Sequence, residues 1–152
     1  MGNATTEKPG TKFLGSYVYQ LDDKGRVSLP AAFRREAPDQ SFVLVQAYPP
    51  ALALYPSSSW HEVEERLREL LRHQPEARMY VLSVMSNAVE VTPDSQGRIL
   101  IPSRLQEMAG LSGQVQLVGS IDKIELWNPG HFEEAIAEGA GSFWQFAPQI
   151  FR

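Results

Sequence analysis

Short runs of alternating or wholly apolar residues, closed by Gly, Pro or Asp, fill 16–58 and return over 88–131. Tyr17-Val18-Tyr19-Gln20-Leu21 and Ala88-Val89-Glu90-Val91-Thr92 are rich in alternating β-branched or aromatic residues, which suits half-buried strands. Each leads into Asp-x-x-Gly-Arg, whose Asp and Gly supply turn chemistry, and then into a short apolar strand, Val27-Ser28-Leu29 or Ile99-Leu100-Ile101. Pro30 and Pro102 stop that strand and suit the first turn of a helix, where a missing N–H costs nothing. Short helices are expected over 31–36 and 103–109, the second ended by Gly110. Two strands then close each unit, 42–46 with 51–55 and 115–118 with 123–127, joined by hairpin-like loops through Pro49-Pro50 and Ile121-Asp122.

The two runs are one pattern written twice. Asp22-Asp23-Lys24-Gly25-Arg26-Val27-Ser28-Leu29-Pro30 matches Asp94-Ser95-Gln96-Gly97-Arg98-Ile99-Leu100-Ile101-Pro102 at an offset of 94 − 22 = 72. The same offset maps Ala37 on Ala109, Val43 on Val115, Leu54 on Leu126, Tyr55 on Trp127 and Trp60 on Phe132. A gapless spacing held this long points to duplication. A unit of roughly 45 residues buries too little apolar surface to stand alone, whereas two can share one core.

Between the copies, Trp60, Val63, Leu67, Leu70 and Leu71 recur at helical spacing from Ser59 onward. Ser59 and Glu62 form a capping-box pattern, Glu62–Arg66 and Glu64–Arg68 are i,i+4 pairs, and Pro75 ends the helix. A weaker helix is expected over 131–138, broken by Gly139-Ala140-Gly141. The aromatics Phe143, Trp144 and Phe146 beyond it would pack on the core or on a neighbouring subunit. The resulting organisation is a flexible extension (1–12), a first motif (16–58), a linker helix and entering strand (59–87), a second motif (88–131), and a C-terminal helix and tail (132–152) whose last residues, 147–152, read as a loose end.

Composition narrows the function classes. With 43% hydrophobic and 21% charged residues in 152, the chain is an ordinary soluble globular protein. It has no cysteine, which excludes disulfides, thiol nucleophiles and cysteine-bound zinc and fits a reducing cytoplasm. No apolar run nears the roughly 18 residues of a membrane span, and the polar start lacks a signal-peptide core. The net charge of −4 is unevenly spread. From Lys12 to Arg35, five basic residues (Lys12, Lys24, Arg26, Arg34, Arg35) face two acidic ones (Asp22, Asp23), a balance of 5 − 2 = +3. A basic face on an acidic body is compatible with phosphate contact.

Candidate chemistry centres on the repeated turn. Arg26 and Arg98 have two roles open to them: each pairs with the Asp four residues earlier and pins the turn, or that Asp aims a guanidinium fork at phosphate or a guanine edge. Both can hold together. Lys24, Arg34 and Arg35 are either a solvated basic surface or phosphate contacts beside the turn. Other chemistry finds no footing: His61, His73 and His131 lack metal-ligand spacing, Ser57 to Ser59 read as a helix cap, and Gly110-Leu111-Ser112-Gly113 lacks the Lys of a phosphate loop. No nucleophile–base set is present, so neither an enzyme, a metal, a cofactor nor a small-molecule substrate is expected.

Phe13-Leu14-Gly15-Ser16-Tyr17, followed by Leu21 through Pro30 as quoted above, closely resembles the opening of MraZ proteins. The second Asp-x-x-x-Arg, at Asp94 and Arg98 with Ile99-Leu100-Ile101-Pro102 after it, stands where that family repeats it, and the likeness covers about Phe13 to Phe132. The resemblance implies an α+β fold, mainly β with short helices. Two tandem SpoVT/AbrB-type motifs would form a swapped-hairpin β-barrel, with one longer amphipathic helix between them. It further implies a cytoplasmic, nucleoid-associated regulator that assembles into ring-like homo-oligomers. Such a regulator binds direct repeats in double-stranded promoter DNA ahead of division and cell-wall genes. The DNA-binding residues it implies are Arg26 and Arg98; Lys24, Arg34 and Arg35 join them as the basic candidates beside the turn, and Asp22, Gly25, Asp94 and Gly97 orient the motifs. The second motif is the less basic, carrying Ser95-Gln96 where the first has Asp23-Lys24. The alternative is an antitoxin-like or scaffold module that uses the same barrel to hold a partner protein.

Overall fold

The computed structural model describes residues 12–37 and 40–152, so all but the last residue of the expected 1–12 extension lies outside it. The first copy forms β1 (Ser16–Gln20), β2 (Arg26–Ser28), helix α1 (Ala31–Arg34), β3 (Phe42–Val45) and β4 (Leu52–Pro56). Helices α2 (Ser57–His73) and α3 (Arg78–Asn87) follow. The second copy supplies β5 (Val89–Val91), β6 (Arg98–Leu100), α4 (Ser103–Ala109), β7 (Gln114–Gly119) and β8 (Ile124–Trp127), and the chain closes with α5 (Pro129–Gly139) and α6 (Phe143–Ile150).

Each copy lends its first strand to the other. β1 pairs antiparallel with β7 and β5 with β3, while β4 joins β8, giving the order β1-β7-β8-β4-β3-β5. β2 and β6 leave this sheet and pair as a separate two-stranded ribbon. The fold is the expected α+β arrangement of interleaved copies. Its main ladder stays open, with β1 and β5 at the edges, and does not close into a hydrogen-bonded barrel.

One face of the sheet, with Phe42, Leu44, Leu52, Leu54, Val115, Leu117, Ile124 and Leu126, forms the main core. Val27, Leu29, Ile99 and Ile101 from the ribbon region cover it, with Phe33 and Leu105 from α1 and α4. Burial of Val27 and Ile99 fixes the ribbon's orientation, because alternate residues must then face outward. A second, smaller core lies on the opposite side of the sheet, where Val43, Val45 and Ala53 meet Trp60 of α2 and Val84 of α3.

Strand pairing corrects one of the sequence equivalences. Tyr19 faces Val115, and its counterpart Val91 faces Phe42. Leu44 faces Leu54 as Leu117 faces Leu126. Phe42 therefore corresponds to Val115, an offset of 115 − 42 = 73 across this strand, and the offset returns to 72 at β4 and β8. A one-residue slip turns a strand side chain to the other face. Val43 accordingly packs under the helices while Val115 lies in the main core, and their shared identity is coincidental.

The helices differ from expectation in other ways. Pro56, at φ −54°, caps α2, so the helix starts at Ser57 and the Ser59–Glu62 capping box does not form. Ser57 Oγ instead bonds Ser41 Oγ at 2.9 Å. The arginine ion pairs on α2 are Arg68–Glu65 and Arg72–Glu69 at i,i+3, not the Glu62–Arg66 and Glu64–Arg68 pairs expected from the charge pattern, and His61 and His73 lie 3.4 Å from Glu64 and Glu69. Helix α3 was not expected, because its apolar residues run all round it: Val81 and Val84 are buried while Met79, Tyr80, Leu82 and Met85 are exposed. Residues 147–150, expected to be loose, complete α6, and Phe143, Trp144 and Phe146 are exposed instead of packing on the core. The duplication reappears in the aromatic stacking of Tyr55 on Trp60 (5.5 Å) and of Trp127 on Phe132 (5.4 Å).

Candidate functional site

The Asp-x-x-Gly-Arg segments build two turns of nearly the same geometry. Asp22 Oδ1 accepts the backbone N–H of Lys24 (2.9 Å) and of Arg26 (2.8 Å), and Oδ2 accepts Arg26 Nε–H (2.9 Å). Asp94 repeats this with the N–H of Gln96 (2.9 Å), the N–H of Arg98 (3.0 Å) and Arg98 Nε–H (3.0 Å). Gly25 and Gly97 close the turns at φ +83° and +79°, a left-handed conformation that residues with a Cβ rarely adopt. The hydrogen bond from the backbone N–H of Arg26, more than any other contact, holds the Asp22 carboxyl below its ordinary value, and that from Arg98 does the same for Asp94.

Both roles considered for the arginines are compatible with this arrangement. Each guanidinium commits Nε–H to its Asp, and no hydrogen bond occupies either pair of Nη groups among the described residues. Each arginine is therefore held in one orientation with its outer donor fork available. The β2–β6 register sets Arg26 opposite Leu100, Val27 opposite Ile99 and Ser28 opposite Arg98. Opposed residues point to the same side, so Arg26, Ser28, Arg98 and Leu100 share the ribbon's outward face. Arg26 and Arg98 are diagonal neighbours on it, about 7–8 Å apart by ordinary sheet geometry.

Each turn is gripped by the opposite copy. Ile101 N–H donates to the Gly25 carbonyl and Leu29 N–H to that of Gly97, both at 2.8 Å. A Cβ on Gly97 would overlap the guanidinium of Arg34, and one on Gly25 would press on Gln106 Nε2, its counterpart at offset 72. Arg34 therefore lies over the second copy's turn, not simply on an exposed basic patch. Gln106, which also donates to the Ile101 carbonyl at 2.7 Å, was not singled out from the sequence. Its alignment with Arg34 was the available signal. Lys24, at a turn tip, and Arg35, at the end of α1, are exposed, and their side chains form no hydrogen bond or ion pair among the described residues. No group of three potential metal ligands occurs among those residues.

A duplicated unit that exchanges strands and presents two carboxylate-anchored arginines on one ribbon defines a small pseudo-twofold binding protein. A family model described as "MraZ protein, putative antitoxin-like" matches residues 13–82 and again 84–147. The chain is 36% identical over 138 residues to the "Transcriptional regulator MraZ" of Moorella thermoacetica, covering 91% of this chain and 96% of that one. Proteins of the same name from Desulfitobacterium hafniense (41% identical; 76% and 80% covered) and Azotobacter vinelandii (40%; 76% and 79%) are similarly related. The chain belongs to the MraZ family.

Proposed function

We propose that this chain is a sequence-specific DNA-binding transcription regulator that acts as a homo-oligomer. Its targets are direct repeats in a promoter serving division and cell-wall genes, and its location is the cytoplasmic nucleoid. The observation that carries this is the pair of guanidiniums fixed by Asp22 and Asp94 on one outward ribbon face. A two-stranded ribbon fits the major groove, where an arginine fork can bond guanine O6 and N7. The relatives' name supports a regulatory role. Lys24, Arg34 and Arg35 supply phosphate contacts, with Arg34 placed over the second turn. Ring assembly would let several modest sites act together despite the net charge of −4. No helix is long and apolar enough to cross a membrane among the described residues.

The test is fluorescence anisotropy with DNA from upstream of the chain's own gene against scrambled DNA, at two salt concentrations. Arg26→Ala and Arg98→Ala each weaken specific binding by about 1–3 kcal/mol and narrow the gap between the two DNAs. Affinity falls steeply with salt as counterions are released. Wild-type protein that binds both DNAs equally and weakly would sink the proposal. A second reading, an antitoxin-like or scaffold module, is favoured by the apolar tail, where Trp144 is 87% and Phe151 82% exposed. It requires a stoichiometric protein partner and indifference to DNA.

A further inference from the structure

We infer that Leu100 is a specificity-determining residue that reads thymine C5-methyl groups beside the base contacted by Arg26. The inference rests on the DNA-binding reading above. A lone exposed leucine on a protein surface has no meaning by itself, but this one has a defined place. Leu100 is 54% exposed in a three-residue strand, directly opposite Arg26, while its neighbour Ile99 is fully buried. The ribbon's outward face therefore carries two anchored guanidiniums and one large apolar side chain, which stands directly opposite Arg26. Cross-strand partners have Cβ atoms about 4.5–5.5 Å apart, and successive bases on one strand rise about 3.4 Å. Leu100 thus falls within one or two base pairs of the Arg26 contact.

In the major groove the thymine methyl is the apolar group a base edge offers. Leucine has no hydrogen bond to make there, so the methyl is its base-specific partner. The counterpart position in the first copy is Ser28, small and polar. The two halves of the ribbon are pseudo-symmetric in backbone and unequal in chemistry: Arg26 opposite Leu100 in one half, Arg98 opposite Ser28 in the other. A single chain therefore reads an element whose two halves differ, with its thymine-dependent half on the Arg26–Leu100 side.

The test uses the same promoter fragment amplified with either dTTP or dUTP, which deletes the methyl groups and keeps the base pairing. Wild-type affinity drops about fourfold for each methyl contacted, the loss expected for one buried methyl-sized group. Leu100→Ala binds the thymine fragment as the wild type binds the uracil one and no longer separates the two. Leu100→Met, which restores an apolar side chain, recovers part of the discrimination, and Ser28→Ala leaves it intact. Unchanged thermal unfolding midpoints show that these exposed variants remain folded. Leu100→Ala that still prefers thymine DNA as strongly as wild type would overturn the inference. Specific wild-type binding that is equal on both fragments would also overturn it, while leaving the DNA-binding reading standing. Wild-type binding no better than to scrambled DNA would remove both.

Discussion

Asp22 and Asp94 each spend their two oxygens on three donors of the same short turn, and the acid response of the ribbon follows from that. Both carboxyls titrate below their ordinary value, chiefly because the N–H of Arg26 or Arg98 favours the ionised form. A depressed folded value means that the ionised turn contributes its full stability above the unfolded value and loses it as pH falls through the folded one. In an NMR titration, the Nε–H resonances of Arg26 and Arg98 should therefore hold their shifts near pH 3.9, about where a free aspartate titrates, and move only below it. Midpoints at the ordinary value would refute this. Gly97 gives a second residue-scale test. Gly113 has the same left-handed φ (+82°) with open space around it, so Gly113→Ala should cost only the backbone strain, about 1–2 kcal/mol. Gly97→Ala must also displace the Arg34 guanidinium, the movable end of a flexible side chain, and should cost only slightly more in urea unfolding. The excess should shrink when Arg34→Ala is introduced beside it.

At the scale of elements, α3 is secured by a buried amide. Asn87 Oδ1 accepts the N–H of Gln46 at 2.8 Å, and Nδ2 donates to the carbonyls of Gln46 (3.1 Å) and Ser83 (2.9 Å). The end of α3 is thereby tied to the end of β3, a contact spanning 41 residues. Asn87→Ala strands both Gln46 backbone groups and should cost about 1–3 kcal/mol in denaturant unfolding, with the ribbon and its DNA affinity unchanged. What the sequence disclosed divides along a similar line. The Asp-x-x-Gly-Arg turns were legible because their hydrogen bonds close within five residues, from Asp22 to Arg26 and from Asp94 to Arg98. The slip at β3 was not, because two valines share an identity while facing opposite sides of the sheet. Helix α3 offers no periodic polar face to detect. The placement of Arg34 over Gly97 joins residues 97 − 34 = 63 apart, which no local pattern encodes.

At the scale of the whole molecule, neither copy completes its own sheet: β1 needs β7, β3 needs β5, and the ribbon takes one strand from each. The repeat in the sequence is therefore not a repeat of independent folding units. Gln74 and Pro75 are exposed at the junction between α2 and the short 3-10 turn, where the backbone can be cut without breaking a strand. The chain should behave there as a split protein. Residues 1–74 and 75–152, expressed separately, should each lack a cooperative unfolding transition. Mixed, they should assemble one to one and recover it by circular dichroism. Pieces that fold as separate monomers would contradict this. The same interdependence gives substitutions an unusual reach, since a change that weakens β5 in one half of the gene is felt first as the fraying of β3 in the other.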